Sequence, residues 1–436
     1  MTTDVEVVVV GLGGLGSATA WQLARRGAVV VGLEQFELGH ERGASHDSSR
    51  IIRHSYHTPD YVRLTLEAYD DWATLEADAG EQLVTVTGGI DLFPPGAAIP
   101  ADDYTASMSA VGIPYEVLDV DAATARWPQL ALPTGTTVLH QERTGIVPAA
   151  RGVAAMQRSA VAAGAVLRDR SPVTAVRDLG GAVEVVAGGT TYRARRLVVT
   201  ADAWTADVLR HLGHDLPLTV TQEQVTYFAP AAPDRFAPER FPVWIWMDDP
   251  SFYGFPTYNE PTVKAAQDCG GPVVTGDRRS FEPDPARTRL LADFVARTFP
   301  GSGPVQRSKT CLYTLTPDRD FVLGAVPGHE AVVVGLGAAH GFKFAPTFGR
   351  LLADLATTGE AGTTVDLTPF RLDRPALTDP AYAPSCAGCR SASTCAGRTR
   401  SPRSSSTASP PATSTAPTRT GRPGASPRSS TGSRSR

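Results

Sequence analysis

The chain has little cysteine, no export signal and no long apolar run, and each shortage removes a class of protein. Five cysteines in 436 residues, at 269, 311, 386, 389 and 395, make a poor disulfide framework in a chain without an export signal. Cys386, Cys389 and Cys395 start like a C-x-x-C zinc motif, but no further His or Cys follows to complete four ligands, so no metal is expected. The N-terminus lacks the charged start, apolar stretch and cleavage site of a secretory signal. No run approaches the roughly 18 consecutive apolar residues that suggest a membrane span. The expectation is a cytoplasmic protein that stays off membranes. Asp, Glu and Lys are also absent after Asp379, where nine arginines fall. Residues 1–380 therefore keep 32 basic against 45 acidic groups, and so acidic a body is a poor nucleic-acid binder. From about Ala381 the composition falls to Ser, Arg, Thr, Pro, Ala and Gly, too polar to offset ordering entropy. A disordered appendage over 381–436 is expected, with out-of-frame translation as another source of such a vocabulary.

What is present is a chain 42% hydrophobic, long enough for more than one domain. Residues 5–10 read as a buried strand, a Gly-rich turn follows, Ser17 to Arg26 has helical spacing ending at Gly27, and Ala28 to Leu33 is a second buried strand. A β-α-β unit of this length implies a parallel sheet with a right-handed crossover. Helices are expected over 61–77, 151–163, 285–299 and 346–357. A hairpin is expected at 182–192, buried strands at 197–200 and 331–334, and aromatic-rich strands at 219–228 and 241–255. Strands of dinucleotide-fold character thus recur early, midway and late. The fold class is α/β: a Rossmann-type domain assembled from discontinuous segments (1–85, 145–215 and 310–380). A substrate domain on an antiparallel sheet (86–144 and 216–309) is inserted between them.

Gly11-Leu-Gly13-Gly14-Leu15-Gly16 is a G-x-G-x-x-G that follows a strand and opens a helix, with Glu34 at the end of the next strand. Gly11 makes the tight turn, Gly13 lets backbone approach a pyrophosphate, and Gly16 lets helix and strand pack closely. The helix N-terminus favours phosphate charge, and Glu34 can accept from ribose hydroxyls. This fingerprint leaves FAD and NAD equally open. Ser45-His46-Asp-Ser-Ser-Arg50-Ile-Ile-Arg53-His54 then packs polar and basic groups around two isoleucines, a partly buried segment suited to carboxylate binding.

That stretch, together with Tyr253-Gly-Phe-Pro, Lys264, Thr310-Cys311-Leu-Tyr313-Thr and His340-Gly341-Phe342-Lys343-Phe, resembles the monomeric sarcosine oxidase family, which includes N-methyltryptophan oxidase and pipecolate oxidase. The likeness runs from about Val5 to Leu377. It implies FAD-dependent oxidation of the C–N bond of a secondary amine or N-methyl amino acid to an imine, with O2 reduced to H2O2. It further implies a monomer acting on a small amine with a carboxylate, and FAD linked covalently to sulfur at the position of Cys311. A lone cysteine is otherwise more often structural. The resemblance assigns catalytic roles to Lys264, beside flavin N5, and to His46 and Arg50. Cofactor contacts are implied for Gly11, Gly13, Gly14, Leu15, Gly16, Glu34, Gln35, Ser45, Arg50, Cys311, Gly341, Phe342 and Lys343. Arg53 and Lys343 match the pair that holds the substrate carboxylate, and Tyr253 and Tyr313 are expected at the substrate.

Four departures stand out. Asp202 replaces a Gly near the cofactor, and Ala338-Ala339 replaces Ser-Gly before His340. Asp268 stands where relatives often carry His, and Trp244 where sarcosine oxidases have a smaller residue. These two suggest a substrate other than sarcosine, with Asp268 pairing a second cationic group and Trp244 stacking on a ring. Alternatives are a cyclic imino acid oxidase of pipecolate- or piperideine-like substrates, an NAD-dependent dehydrogenase, and an inactive flavin-binding scaffold.

Overall fold

The computed structural model describes residues 2–384; the segment from Ser385 onward, with Cys386, Cys389 and Cys395, lies outside the described residues. Strand β1 (Thr2–Val10) reads as an apolar run because parallel neighbours flank it on both edges. β2 (Val30–Leu33) lies on one side and Thr190–Val199 on the other. Helix α1 (Gly14–Arg25) makes the crossover between β1 and β2. Val166–Arg168 extends the parallel sheet beyond β2, and His329–Leu336 extends it beyond Thr190–Val199. The sheet thus draws strands from three separated stretches of chain. The expected hairpin at 182–192 and strand at 197–200 share one ten-residue strand, Thr190–Val199. Its first half alternates buried and exposed residues against Val183–Ala187, and its last three residues are fully buried between β1 and His329–Leu336.

A second, mostly antiparallel sheet takes strands from 89–141 and 219–315. The long strand Val305–Leu315 pairs with Thr219–Phe228 almost throughout and sets Cys311 opposite Glu223. This corrects the boundary expected at 310: residues up to Leu315 belong to the second sheet, because their hydrogen-bond partners are there. A small third sheet joins β3 (Arg50–Ile52) to Gly145–Val147, which also pairs Thr85–Val86. Helix α2 (Pro59–Ala79) packs against helix Ala345–Thr358, and its Trp72 donates to the carbonyl of Lys343 at 2.7 Å.

Period-two alternation sorts the second sheet's side chains onto two faces. Trp244, Trp246 and Phe252 point one way, onto Phe294 and Phe299 at helix Pro285–Thr298. Their neighbours Tyr253, Phe255 and Lys264 point the other way, towards the Arg50–Arg53 segment and the parallel sheet.

Candidate active site

At the carboxyl ends of the parallel strands a cleft is lined by Gly11, Gly13, Glu34, Gln35, Ser45 and Asp202, among others. Such a crevice is where doubly wound sheets bind dinucleotides. Gly11 has φ +88°, and a Cβ there would sit 2.7 Å from the carbonyl of Thr200; a Cβ on Gly16 would collide with the Gly11 carbonyl. Both glycines are therefore forced by backbone approach. Glu34 Oε2 accepts from the Leu12 amide at 2.9 Å and Oε1 from the Phe36 amide at 3.1 Å. Burial works to raise the Glu34 pKa, but His40 and these two amides outweigh it and hold the carboxyl below its ordinary value. Ser45 Oγ accepts from the Gly14 amide at 3.0 Å, at the start of α1. The Leu15 side chain packs onto the core rather than into the cleft. Phe342, in the turn Gly341–Phe344, lies against Gly14, where a Cβ would come within 3.0 Å of its ring.

Further along, His46, Arg50, Lys264 and Cys311 come together from three separate elements. Lys264 Nζ lies 2.7 Å from Asp47 Oδ2 and donates to Ser49 O and Oγ at 3.1 Å each. Burial pushes its pKa down and Asp47 pulls it back, leaving it at about 8. Arg50 donates to the carbonyls of Ser49 and Ala44 at 2.8 Å. His46 is buried with neither ring nitrogen bonded, and burial, followed by the charge of Arg50, depresses it to about 3. Cys311 is a buried free thiol whose pKa burial raises and Arg50 tempers. The unbonded ring nitrogens of His46 and the Cys311 thiol, both beside Arg50, fit the isoalloxazine end of FAD, as the glycines and Glu34 fit its adenosine end.

The third group is cationic. Arg53 and Lys343 converge on Tyr56, their charges 4.9 and 5.6 Å from its ring centre. Arg53 Nη1 pairs with Asp91 Oδ1 at 3.1 Å. Lys343 Nζ donates only to the His340 carbonyl, at 2.8 Å, and no carboxylate lies within 4 Å of it among the described residues. Burial and then Arg53 lower its pKa to about 7. Asp268, held by Arg319 at 3.4 Å, exerts its charge on Arg53, Lys343, Tyr253 and Tyr313. The hydroxyls of Tyr253 and Tyr313 are 3.3 Å apart.

Residues 6–355 match the FAD dependent oxidoreductase family. The chain belongs to that family. This FAD-dependent oxidoreductase is 35% identical to a monomeric sarcosine oxidase of Streptomyces avermitilis over 85% of its own length and 99% of the relative's. It is 32% identical to a human peroxisomal sarcosine oxidase, over 85% and 96% of the two chains. Among solved structures it resembles NikD, an unusual amino acid oxidase essential for nikkomycin biosynthesis. There the TM-score is 0.76 at 29% identity, covering 84% of this chain and 97% of the other.

Trp244 requires a correction within this flavoprotein. It faces away from Lys264, its ring 4.1 Å from that of Phe299 and tilted by 31°, and lies opposite Gly254, where any side chain would run into the indole. It is a core residue, because strand alternation gives the pocket face to Ile245 and Tyr253 instead. Sequence reasoning also passed over Asp47, Tyr227 and Asp91. Asp91 was detectable as the one charge in the strand Gly89–Phe93, between Ile90 and Leu92, which pack on the far face. Lysine usage was a second signal: only Lys264, Lys309 and Lys343 occur in the whole chain, and two of them are buried here.

Proposed function

We propose that this flavoprotein oxidises the C–N bond of a small secondary amine or N-methyl amino acid to an imine. O2 is the electron acceptor, and FAD is attached through Cys311. The observation that carries this reading is Lys343, a buried amine with one carbonyl partner and no carboxylate within 4 Å among the described residues, beside Arg53. An anionic ligand beside Arg53 would favour the protonated form of Lys343, and a carboxylate bridging the two would fix the amine relative to Cys311 and Lys264. Bound there, FAD supplies a two-electron acceptor for the C–H bond next to nitrogen and passes both electrons to O2. The chain's part is to orient and to set charge. His46, whose pKa burial lowers to about 3, is neutral at pH 7 and adds no repulsion to an amine that must be uncharged to react. Lys264, at about 8, remains mostly protonated at pH 7 and can stabilise charge developing on oxygen. Tyr253 and Tyr313 are kept as neutral phenols by burial and provide a wall with donors.

The test is a peroxide assay over sarcosine, other N-methyl amino acids, cyclic imino acids and the same amines without the carboxylate. Turnover confined to carboxylated amines is the expected result, and equal turnover of decarboxylated amines would remove the role given to Lys343. For the linkage, acid-precipitated protein should keep its yellow colour in the pellet, and Cys311→Ala should release it to the supernatant.

A further inference from the structure

Lys264 is 3% exposed, and burial favours the neutral amine. Its one carboxylate partner among the described residues, Asp47, is itself tightly fixed. Tyr227 donates its hydroxyl to Asp47 Oδ1 at 2.6 Å while Lys264 takes Oδ2 at 2.7 Å. The Asp47 backbone adopts φ +78°, a left-handed position costly to residues with a Cβ, and its carbonyl accepts from the Ala150 amide at 3.0 Å. We propose that Asp47 is a positioning residue for the reaction with oxygen: it keeps Lys264 protonated and aimed at the space beside Cys311, while Tyr227 keeps Asp47 ionised and oriented. This rests on the oxidase reading above.

The other groups around the lysine cannot substitute for Asp47. Arg50 opposes the ammonium, the Cys311 thiol favours it only weakly, and the rings of Phe255 and Tyr227 stand 5.1 and 5.8 Å from Nζ. Lys309 approaches Asp47 to 4.0 Å from the partly exposed side. Burial would raise the Asp47 carboxyl, yet Lys264 and Arg50 drive it far below its ordinary value, so it is a permanent anion. Without it, burial and Arg50 act in the same direction on Lys264, and its pKa falls further. The step served is balanced: reduced flavin anion, O2 and one proton give oxidised flavin and H2O2. Two electrons leave the flavin, both oxygen atoms stay in the peroxide, and a fixed ammonium lowers the barrier by meeting the developing negative charge.

The test uses the holoprotein with its flavin reduced photochemically, so no amine substrate is involved. Asp47→Asn should slow reoxidation by O2 about ten-fold at pH 7.5. It should also displace the pH profile downward by about one unit or more, with Asp47→Glu recovering most of the rate. Tyr227→Phe should move the profile in the same direction by less. A second readout needs no turnover: the visible spectrum of oxidised holoprotein should show a transition near pH 8 that moves lower in Asp47→Asn and is absent in Lys264→Met. Unchanged midpoints in Asp47→Asn would overturn the proposal. So would a slowing that is equal at every pH and not recovered by glutamate. Should Asp47→Asn fail to hold flavin, Tyr227→Phe decides, and a wild-type midpoint there overturns it. If reduced wild-type protein does not react with O2, the oxidase reading fails, while the spectral titration still reports whether Asp47 holds the proton on Lys264.

Discussion

Arg53 is already paired with Asp91, 3.1 Å away, on side chains 14% and 6% exposed, whereas Lys343 hydrogen-bonds a carbonyl and has no carboxylate within 4 Å among the described residues. The two cations should therefore respond differently to removal. Lys343→Met deletes an uncompensated charge and should raise KM for a carboxylated amine about a hundred-fold with little change in melting temperature. Arg53→Met strands Asp91 in the core and should cost about 3–5 kcal/mol of stability as well as binding. Steady-state kinetics beside thermal melts separate the two, and an Arg53→Met protein that melts like wild type would refute the pairing argument.

Trp244 is expected to matter for stability and not for substrate choice. Its indole fills the far face of the second sheet against Phe294 and Phe299. Trp244→Ala should cost about 3–5 kcal/mol through the cavity it leaves. Trp244→Phe, which is milder, should leave the ranking of amine substrates as it was, and a changed ranking would return Trp244 to the pocket.

Two departures from the family pattern sit on left-handed backbone, Asp202 at φ +46° and Ala339 at φ +73°. Glycine adopts such angles without strain, which is the physical reason for glycine at both places. Asp202→Gly and Ala339→Gly should each stabilise the protein by about 1 kcal/mol. Asp202 adds a pH term, because burial pushes its carboxyl up to about 6 and leaves Oδ2 without a partner. A raised folded pKa means the neutral acid is tolerated at low pH and stability is lost as pH rises through about 6. The gain from Asp202→Gly should accordingly be larger at pH 8 than at pH 5. Asp202→Asn, which removes the charge and keeps the strain, isolates that term. Since Asp202 lines the dinucleotide cleft, slower FAD loss should accompany either change in a Cys311→Ala background. Melts without any pH trend would discard the carboxylate argument.

Acid should destabilise the fold well before carboxylates titrate. Burial depresses His46 to about 3 and His54 to about 4, and lowers His57 and His340 as well. These rings ionise near 6.5 once unfolded, so their contribution is complete above that pH and is lost as pH falls towards their folded values. At pH 5 the penalty is roughly 2 kcal/mol for each of His46 and His54. Thermal melts of the flavin-free protein at pH 7.5 and pH 5 measure it, and equal melting temperatures would contradict the neutral burial of these rings.

Much of the site was legible in the residues. The β1–α1–β2 unit announced itself because a strand buried at both edges must be continuously apolar, and because backbone crowding admits only glycine at 11 and 16. His46, Arg50, Lys264, Cys311 and Lys343 were recognisable by type and neighbouring motif. The single strand from Thr190 to Val199 was hidden because its two halves have different partners and hence different polarity patterns.

The sequence by itself determined the Gly-rich turn, the acid at the end of the next strand and the set of cations, since these depend on local backbone geometry and residue chemistry. Tertiary structure alone decided which cation has an anion beside it: Asp47 for Lys264, Asp91 for Arg53, and none within 4 Å of Lys343 among the described residues. It also turned Trp244 out of the pocket. Pairing across a sheet joins residues far apart in the chain, and a shift of one position along a strand reverses the face on which a side chain lies.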